Sequence, residues 1–239
     1  ARGCAALRDL SRGAETWRDL ALGCLPANMC DTLEAKGESQ FAAWRRLLLR
    51  SPRLRRDGIY IAPCGYVRKI QKGASLTDSR ESMYIRYFRL LRVLPQDLEG
   101  DRPQQVLILT TEAEPGTAVD ALKSYPLGLE STYGPHKHVV VSSATRKLHE
   151  KVIVGTHDLD PKEMVAAVRY TDARSSYLIE FNLHHGRKDG SRQNCRLTWV
   201  RYEFTSLSVP EDVASFELNR DQHYAPYSFA RVKGLEHLL

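Results

Sequence analysis

The sequence predicts an α+β protein, in which a short N-terminal helical segment precedes a mainly antiparallel, barrel-like β domain. Apolar residues recur at helical spacing over roughly the first 50 residues, whereas segments rich in aromatic and β-branched residues follow from Gly58 onward. Few helical patterns separate these segments, which favours antiparallel pairing. About eight to ten such strands are enough to close a sheet into a barrel and to remove its exposed edges.

The helical segment is predicted to end with a helix over residues 39–50. Phe41, Trp44 and Leu48 recur on one face of this helix. Pro52 prevents its continuation, because proline lacks an N–H group and restricts the residue before it.

The boundary between the two parts is placed at the turn pair Asp57-Gly58, after which Ile59 begins a strand. We therefore predict two domains, a helical one over residues 1–57 and an antiparallel, barrel-like one over residues 58–239. The second domain is predicted to contain a short helix over residues 117–124 and loops over residues 95–103 and 184–194. Its further strands are predicted over residues 84–91, 105–111, 138–142, 151–157, 164–171, 175–183, 195–207 and 227–232.

The chain carries none of the common catalytic or nucleotide-binding motifs, such as G-x-x-x-x-G-K-[ST], G-x-S-x-G or H-E-x-x-H. His157 is interpreted as the end of a strand and Asp158 as the start of a turn, rather than as an acid–base pair. Two pairs of histidines each lack a third metal ligand: His136 with His138, and His184 with His185. We therefore expect a protein without catalytic residues, cofactor or metal site.

The five cysteines are odd in number and form no C-x-x-C pair. We expect them to be reduced thiols, as in a protein of the cytoplasm or nucleus. No apolar run reaches the length of about 18 residues that a membrane span requires, so no membrane-spanning segment is expected. The chain does not begin with Met, and we expect it to be a fragment or a trimmed chain.

Arginines are concentrated between Arg45 and Arg56, in a chain whose formal net charge is +6. Such a cluster can hold nucleic-acid phosphates, can pair with acidic residues of a partner protein, or can form a solvated helix face followed by a charged linker. The third interpretation is preferred, because the nearby Phe41 and Trp44 belong to the predicted core face rather than to a base-stacking surface. Nucleic acid is therefore not expected as a partner.

The aromatic residues of the strand predicted over residues 84–91 have two interpretations. Tyr84, Tyr87 and Phe88 line a ligand cavity if the sheet closes into a barrel, or they belong to the core. The sequence leaves both interpretations open.

Two segments resemble parts of F-box proteins. Residues 4–26 are similar to the second half of an F-box, whose Trp-Arg-x-Leu ending corresponds to Trp17, Arg18 and Leu20. Residues 44–68 resemble the region after the F-box in the F-box only protein 9 family, including its fungal and plant relatives. There a Trp-Arg helix leads through an Arg-Pro-Arg step to Asp-Gly-[Ile/Val]-Tyr-Ile and Tyr-[Ile/Val]-Arg. The matching positions are Trp44, Arg45, Arg50, Pro52, Arg53, Asp57, Gly58, Tyr60, Tyr66 and Arg68.

Later segments agree with the same family in the same order, so the resemblance covers most of the chain. The first half of the F-box pattern, with its Leu-Pro and following leucines, is not in this chain, and the F-box is incomplete here. The agreeing segments are Tyr84-x-Arg86-Tyr87, Leu109-Thr110-Thr111 with Glu114-Pro115, Gly155 at a strand end, and Tyr224-x-Pro226-x-x-Phe229-Ala230-Arg231-Val232.

The resemblance implies a substrate-recognition subunit of a Skp–cullin–F-box ubiquitin ligase, without catalysis of its own. Residues 1–57 then hold the C-terminal part of the F-box and a helical linker, and the β domain binds a target protein through a surface that the sequence does not identify. The expected partners are the Skp adaptor and cullin, bound through the F-box. The candidate adaptor-facing residues are Leu7, Leu10, Trp17 and Leu20, and packing within the helical segment is the alternative for each.

Two other functions remain as alternatives. In the first alternative, the chain is a small-ligand-binding β-barrel whose helical segment is only a cap. In the second, it is a basic nucleic-acid-binding protein. A closed barrel with a large apolar cavity favours the first alternative. Salt-dependent binding that is lost on changing Arg53, Arg55 and Arg56 favours the second.

Overall fold

The computed structural model describes residues 17–19, 21, 40–69, 82–94, 104–126, 142–160, 162–184, 194–216, 218 and 224–235. Residues 17–19 and 21 are helical. The other helices are α1 (Gln40–Arg50), α2 (Pro115–Lys123) and α3 (Ser143–His149). No described helix is both long enough and apolar enough to cross a membrane. The strands are β1 (Gly58–Lys69), β2 (Ser82–Val93), β3 (Gln105–Thr111), β4 (Ile153–Asp160), β5 (Val165–Thr171), β6 (Ser175–His184), β7 (Arg196–Ser206), β8 (Val213–Ser215) and β9 (Tyr227–Arg231).

The strands form a closed antiparallel barrel, which confirms the barrel-like β domain. Its eight strands follow the order β1-β2-β3-β4-β5-β6-β7-β9, and β9 pairs with β1 to complete the ring. The short strand β8 pairs only with the second half of β7. Closure satisfies the backbone hydrogen-bonding groups that the edges of an open sheet expose.

Side chains alternate along each strand between the barrel interior and its outer surface. On β1, Tyr60 belongs to the interior cluster and Ile59 to an outer cluster, and both are fully buried. Helix α2 covers the outer cluster, where Leu122 packs with Leu107 of β3. Burial of a side chain of this size contributes about 1.5–3 kcal/mol. The largest other fully buried side chains of the interior cluster are Leu91, Val93, Val106, Val168, Phe181 and Leu197.

The predicted elements differ from the observed ones mainly at their ends. Helix α2 begins at Pro115, two residues before the helix predicted over residues 117–124, because proline is tolerated in a first turn. The strand predicted over residues 138–142 lies outside the described residues except for Ser142. Ser142 instead caps helix α3, since its hydroxyl accepts a hydrogen bond from the N–H of Thr145 (3.1 Å). The sequence interpretation did not predict α3 or the three-residue strand β8.

The predicted turn pair at residues 57–58 is a point of close approach between strands. A Cβ atom on Gly58 would lie 2.1 Å from the carbonyl oxygen of Ala230 and 2.7 Å from the ring of Phe229. Gly58 is the first residue of β1 and lies opposite Arg231 of β9. Because glycine has no side chain, β1 and β9 can approach closely enough here for the barrel to close.

The linker between α1 and β1, residues 51–57, closes one end of the barrel. Leu54 belongs to the interior cluster. Arg55, Arg56 and Asp57 are only 7%, 6% and 1% exposed. The Tyr60 hydroxyl accepts a hydrogen bond from the backbone N–H of Arg55 (2.9 Å) and donates one to the carbonyl oxygen of Asn194 (2.9 Å). The linker is thus attached both to β1 and, through Tyr60, to Asn194, which lies two residues before β7.

Asp57 balances the positive charge at this closed end. Its carboxylate accepts hydrogen bonds from Nε of Arg55 (2.9 Å) and from Nη2 of the same guanidinium, and it forms an ion pair with Nε of Arg231 (3.2 Å). Burial opposes the charge of Arg55, but its contacts with Asp57 raise its pKa on balance. The Arg55 guanidinium also lies 4.1 Å from the ring centre of Phe229, a favourable cation–π distance.

The preferred interpretation of the arginine cluster is therefore wrong for the linker. Arg45 and Arg46 are exposed on α1, as expected for a solvated helix face. Arg55 and Arg56, however, are buried, and Arg53 donates a hydrogen bond to a carbonyl oxygen in the last turns of α1. The linker arginines are buried because the barrel end offers a carboxylate, ring faces and carbonyl groups.

His157 faces the barrel interior and is 6% exposed. Neither of its ring nitrogens has a hydrogen-bond partner among the described residues. Burial lowers its pKa to about 4, and the nearby charge of Arg56 adds to the shift. Strand β4 continues to Asp160, so the turn predicted at Asp158 begins only after it. The Asp160 carboxylate accepts hydrogen bonds from the N–H groups that follow, at 2.7 and 3.1 Å.

Replacing Asp57 by Asn is expected to destabilise the fold strongly, because the substitution leaves the buried Arg55 without its opposing charge. Removal of one member of a buried ion pair costs about 3–5 kcal/mol. Urea unfolding measures the change. Asp158→Asn is the control. The side chains of Asp158 and Arg169 are 65% and 53% exposed, so their ion pair contributes less than about 1 kcal/mol to the free energy of unfolding. Equal effects of the two substitutions would contradict the role assigned to Asp57.

Acidification is expected to destabilise the protein through His157. The pKa of His157 in the fold, about 4, lies below its unfolded value of 6.5, so the unfolded chain binds the proton first as the pH falls. The neutral His157 ring therefore makes its full contribution to the free energy of unfolding above about pH 6.5. This contribution is lost as the pH falls from about 6.5 to about 4. Urea unfolding at pH 7 and pH 5 should differ by about 2 kcal/mol from this group alone.

His157→Leu should remove that part of the pH dependence. His184→Leu, at an exposed position on β6, is the matched control and should retain it. An unchanged pH dependence in His157→Leu would show that His157 does not carry the effect.

Candidate functional site

The first two strands extend beyond the barrel as a hairpin that we call the β1–β2 arm. It consists of residues 64–69 and 82–87, which pair with each other, whereas β3 pairs with β2 only from Phe88 onward. One face of the arm continues the barrel interior, and the register places on it the side chains of Cys64, Tyr66, Arg68, Met83, Ile85 and Tyr87. The ring centres of Tyr66 and Tyr87 are 6.1 Å apart on this inner face.

The barrel wall is interrupted beside the arm. Strand β9 pairs with β1 only over Gly58–Ile61, and with β7 only through Tyr227 and Ser228. No ladder joins β1 to β7 or β8 beyond these pairs in the described part of the chain. Residues 224–226 contact β7 here, where the indole N–H of Trp199 donates a hydrogen bond to the carbonyl oxygen of Ala225 (3.0 Å). A single irregular segment therefore borders the interior at this point.

Arg89 lies at this interruption, surrounded by aromatic rings. It alternates on β2 with the interior residues Tyr87 and Leu91, so its side chain is directed inward. Its guanidinium lies 5.0 Å from the ring centre of Trp199 and 5.6 Å from those of Tyr87 and Tyr224. We call these four residues the Arg89 cage. Each of these distances is within the range of a favourable cation–π contact.

The Arg89 cage holds a charge that the described residues do not neutralise. Nη1 of Arg89 is buried and has no hydrogen-bond partner among them. Burial opposes the charge, but the neighbouring Tyr227, Tyr87 and Cys64 raise the pKa of Arg89 on balance. Burial also raises the pKa of Tyr87 to about 12 and that of Cys64 above its ordinary value, so both are neutral near pH 7. The cage thus combines one full positive charge with neutral, mostly aromatic walls.

A wall of stacked aromatic rings continues from the cage along β5, β6 and β7. Tyr170 and Tyr177 stack with ring centres 4.5 Å apart, and Tyr202 and Phe216 stack at 4.8 Å. Trp199 links this wall to the cage, because its ring centre lies 5.9 Å from that of Tyr202. Partly exposed aromatic side chains of this kind give a large apolar contact area with few rotatable bonds.

A second concave region is an open groove of about 600 Å³ bordered by β4 to β8. Its lining mixes polar and apolar side chains and includes Tyr170 and Tyr177 of the aromatic wall. Its one basic residue, Arg169, is already paired with Asp158 (2.8 Å). Unlike the Arg89 cage, the groove therefore offers a ligand no unpaired basic side chain among the described residues.

The candidate residues from the sequence lie at different places. Of the three strand aromatics, only Tyr87 belongs to the interior, since Tyr84 is exposed and Phe88 packs against the outer cluster under α2. Trp17 is partly buried and packs with a cluster that includes Trp44 and Leu48 of α1. Leu7, Leu10 and Leu20 lie outside the described residues, as do His136, His138 and His185.

Arg89 is the residue that the sequence interpretation missed. The available signal was its position between Tyr87 and Leu91, at the spacing that places all three on one face of a strand. Within the described residues, no group of three or more His, Cys, Asp or Glu side chains is placed to hold a metal ion. Cys64 and Cys195 are thiols that take part in no disulfide bond among the described residues.

Protein-family models give no match, and solved structures give none either. The functional assignment therefore depends on the sequence motifs and on the geometry of the barrel.

Replacing Arg89 by Met is expected to leave the free energy of unfolding within about 1 kcal/mol of the original, because lost cation–π contacts are offset by relief of an unsatisfied buried donor. Arg92→Met is the control from the same strand. Arg92 donates hydrogen bonds to the carbonyl oxygens of Leu122 and Lys123 at the end of α2, so its loss should cost about 1.5–3 kcal/mol. Urea unfolding compares the two, and a larger loss for Arg89→Met would identify Arg89 as structural.

Proposed function

We propose that this chain is the substrate-recognition part of a Skp–cullin–F-box ubiquitin ligase. In this proposal the N-terminal helical segment docks on the Skp adaptor, and the barrel holds a target protein. The observation that carries the proposal is the linker. The segment resembling the region after the F-box, residues 44–68, is also the segment that closes the barrel and joins it to α1.

The packing of the linker supports this role physically. Trp17 contacts α1, and Arg53 contacts the end of α1. Arg55 and Asp57 are then fixed in the barrel end by Tyr60, Asn194 and Arg231. A substrate held by the barrel therefore keeps a defined position relative to the helices. Ubiquitin transfer is accelerated by such tethering, because it replaces a bimolecular encounter with a local one.

The proposal includes no chemistry by the chain itself, no cofactor and a location in the cytoplasm or nucleus. Partners are the adaptor, cullin and a target protein. The two alternatives are less favoured. Large side chains fill the interior cluster, which favours a packed barrel over one built around a ligand cavity. Arg55 and Arg56 are buried, which favours a structural role over contact with nucleic-acid phosphates.

Affinity purification of the intact protein tests the adaptor role. We expect it to retain the Skp adaptor and cullin, and we expect a version lacking residues 1–30 to lose both. Leu7→Asp with Leu10→Asp should abolish retention while leaving the urea unfolding of the barrel unchanged, because an aspartate in an apolar contact is strongly unfavourable. Val209→Asp, at an exposed position between β7 and β8, is the control and should retain both partners. Failure of the intact protein to retain them, or equal retention after the deletion, would refute the proposal.

A further inference from the structure

The Arg89 cage is a cation site without its anion in the described part of the chain. No ion pair is found between Arg89 and a described acidic side chain, and its buried Nη1 has no acceptor. Among the buried arginines of the barrel, Arg55 has Asp57 for this purpose. Arg92 instead donates hydrogen bonds to the carbonyl oxygens of Leu122 and Lys123. A guanidinium presents donors in a fixed planar fork that matches a carboxylate. The chemistry of the cage therefore suits an anionic group from another molecule.

The charge of the cage distinguishes between possible anions. Arg89 supplies one positive charge, and the surrounding side chains of Tyr87, Trp199 and Tyr224 are neutral. A carboxylate brings one negative charge and is balanced by Arg89 alone. A phosphate carries nearly two negative charges near neutral pH, and the excess charge would be costly between apolar ring faces. The cage accordingly favours a carboxylate.

The inner face of the β1–β2 arm provides apolar contacts beside the cage, and the exposed Arg68 lies at its far end, opposite Met83. On β2, Ile85 and Met83 lie two and four residues before Tyr87 and point to the same face, and Met83 is 49% exposed. Alternate residues of a strand are about 7 Å apart, so these side chains form a row that leads to Arg89. An extended peptide has the same repeat and can place apolar side chains along this row.

We propose that Arg89 binds an aspartate or glutamate side chain of an extended substrate peptide, whose apolar residues two and four positions away contact the inner face of the β1–β2 arm. This inference rests on the proposed function and names the class of substrate that the barrel recognises. Arg89 acts as the specificity-determining residue, and Trp199, Tyr87 and Tyr224 exclude water from its ion pair.

Fluorescence polarisation with the full chain tests the proposal directly. The probe is a set of labelled nine-residue peptides with a central Glu and with Leu or Phe two and four positions away. Matched peptides carry Gln or phosphoserine at the centre. We expect the tightest Glu peptide to bind about tenfold or more tightly than its Gln counterpart. Equal binding of the Glu and Gln peptides, or tighter binding of the phosphoserine peptide, would overturn the proposal without requiring any variant of the protein.

Substitutions at two positions of the same strand then locate the site. Arg89→Met should lower the affinity for the Glu peptide to that of the Gln peptide, and Arg89→Lys should restore part of the difference because it keeps the charge but not the fork. Arg86→Met removes the same charge from the outer face of the arm and should leave binding unchanged. Loss of Glu preference in Arg86→Met, or its persistence in Arg89→Met, would place the site elsewhere.

The outcome can be separated from that of the ubiquitin-ligase role. Arg89→Met should retain the Skp adaptor and cullin as well as the original protein does, since Arg89 lies in the barrel rather than in the helical segment. If the original protein retains the adaptor but shows no preference for acidic peptides, only the substrate inference fails. If it prefers acidic peptides but retains no adaptor, the proposed ligase role fails and the peptide site stands.

Discussion

A single carboxylate, that of Asp57, balances the two arginines at the point where the barrel closes. Arg55 precedes it by two residues and Arg231 belongs to the last strand, so the contact joins the beginning and the end of the β domain. Leu54 and Tyr60 can enter the interior cluster only if this neighbouring charge is compensated, because an unpaired buried charge is very costly. The attachment of α1 and the closure of the ring therefore depend on the same contact.

The barrel was predictable because its signals are local. The continuous apolar run of β3 and the alternating apolar residues of β6 identify strands directly, and turn residues between the strands favour antiparallel neighbours. The ends of elements were less predictable. Ser142 is compatible with a strand end or with a helix cap, and the choice depends on the residues that α3 packs against. The burial of Arg55 was not predictable from its neighbours alone, because Cys195 and Phe229, which contact its guanidinium, are distant in sequence.

The candidate site depends on tertiary structure to a still greater extent. Tyr87 was identified as a possible interior residue, but Trp199 and Tyr224 come from distant parts of the chain and meet Arg89 only after the ring closes. Because the sequence interpretation assumed that arginines lie on the surface, it did not identify Arg89 as part of an interior site. The same assumption failed at the linker. In both places an arginine packs against aromatic rings, where a flat guanidinium fits well.

The β1–β2 arm also affects how the protein behaves in concentrated solution. Residues 82–87 pair with β1 on one side, and no described strand pairs with the other side. Such an edge exposes a row of backbone donors and acceptors that a strand of another molecule can join, which is the usual starting point of edge-to-edge aggregation. Arg68 and Arg86 place positive charges on both strands of the arm, so two copies repel each other there. Colloidal stability consequently depends on ionic strength, because salt screens this repulsion within a few ångströms to about 10 Å.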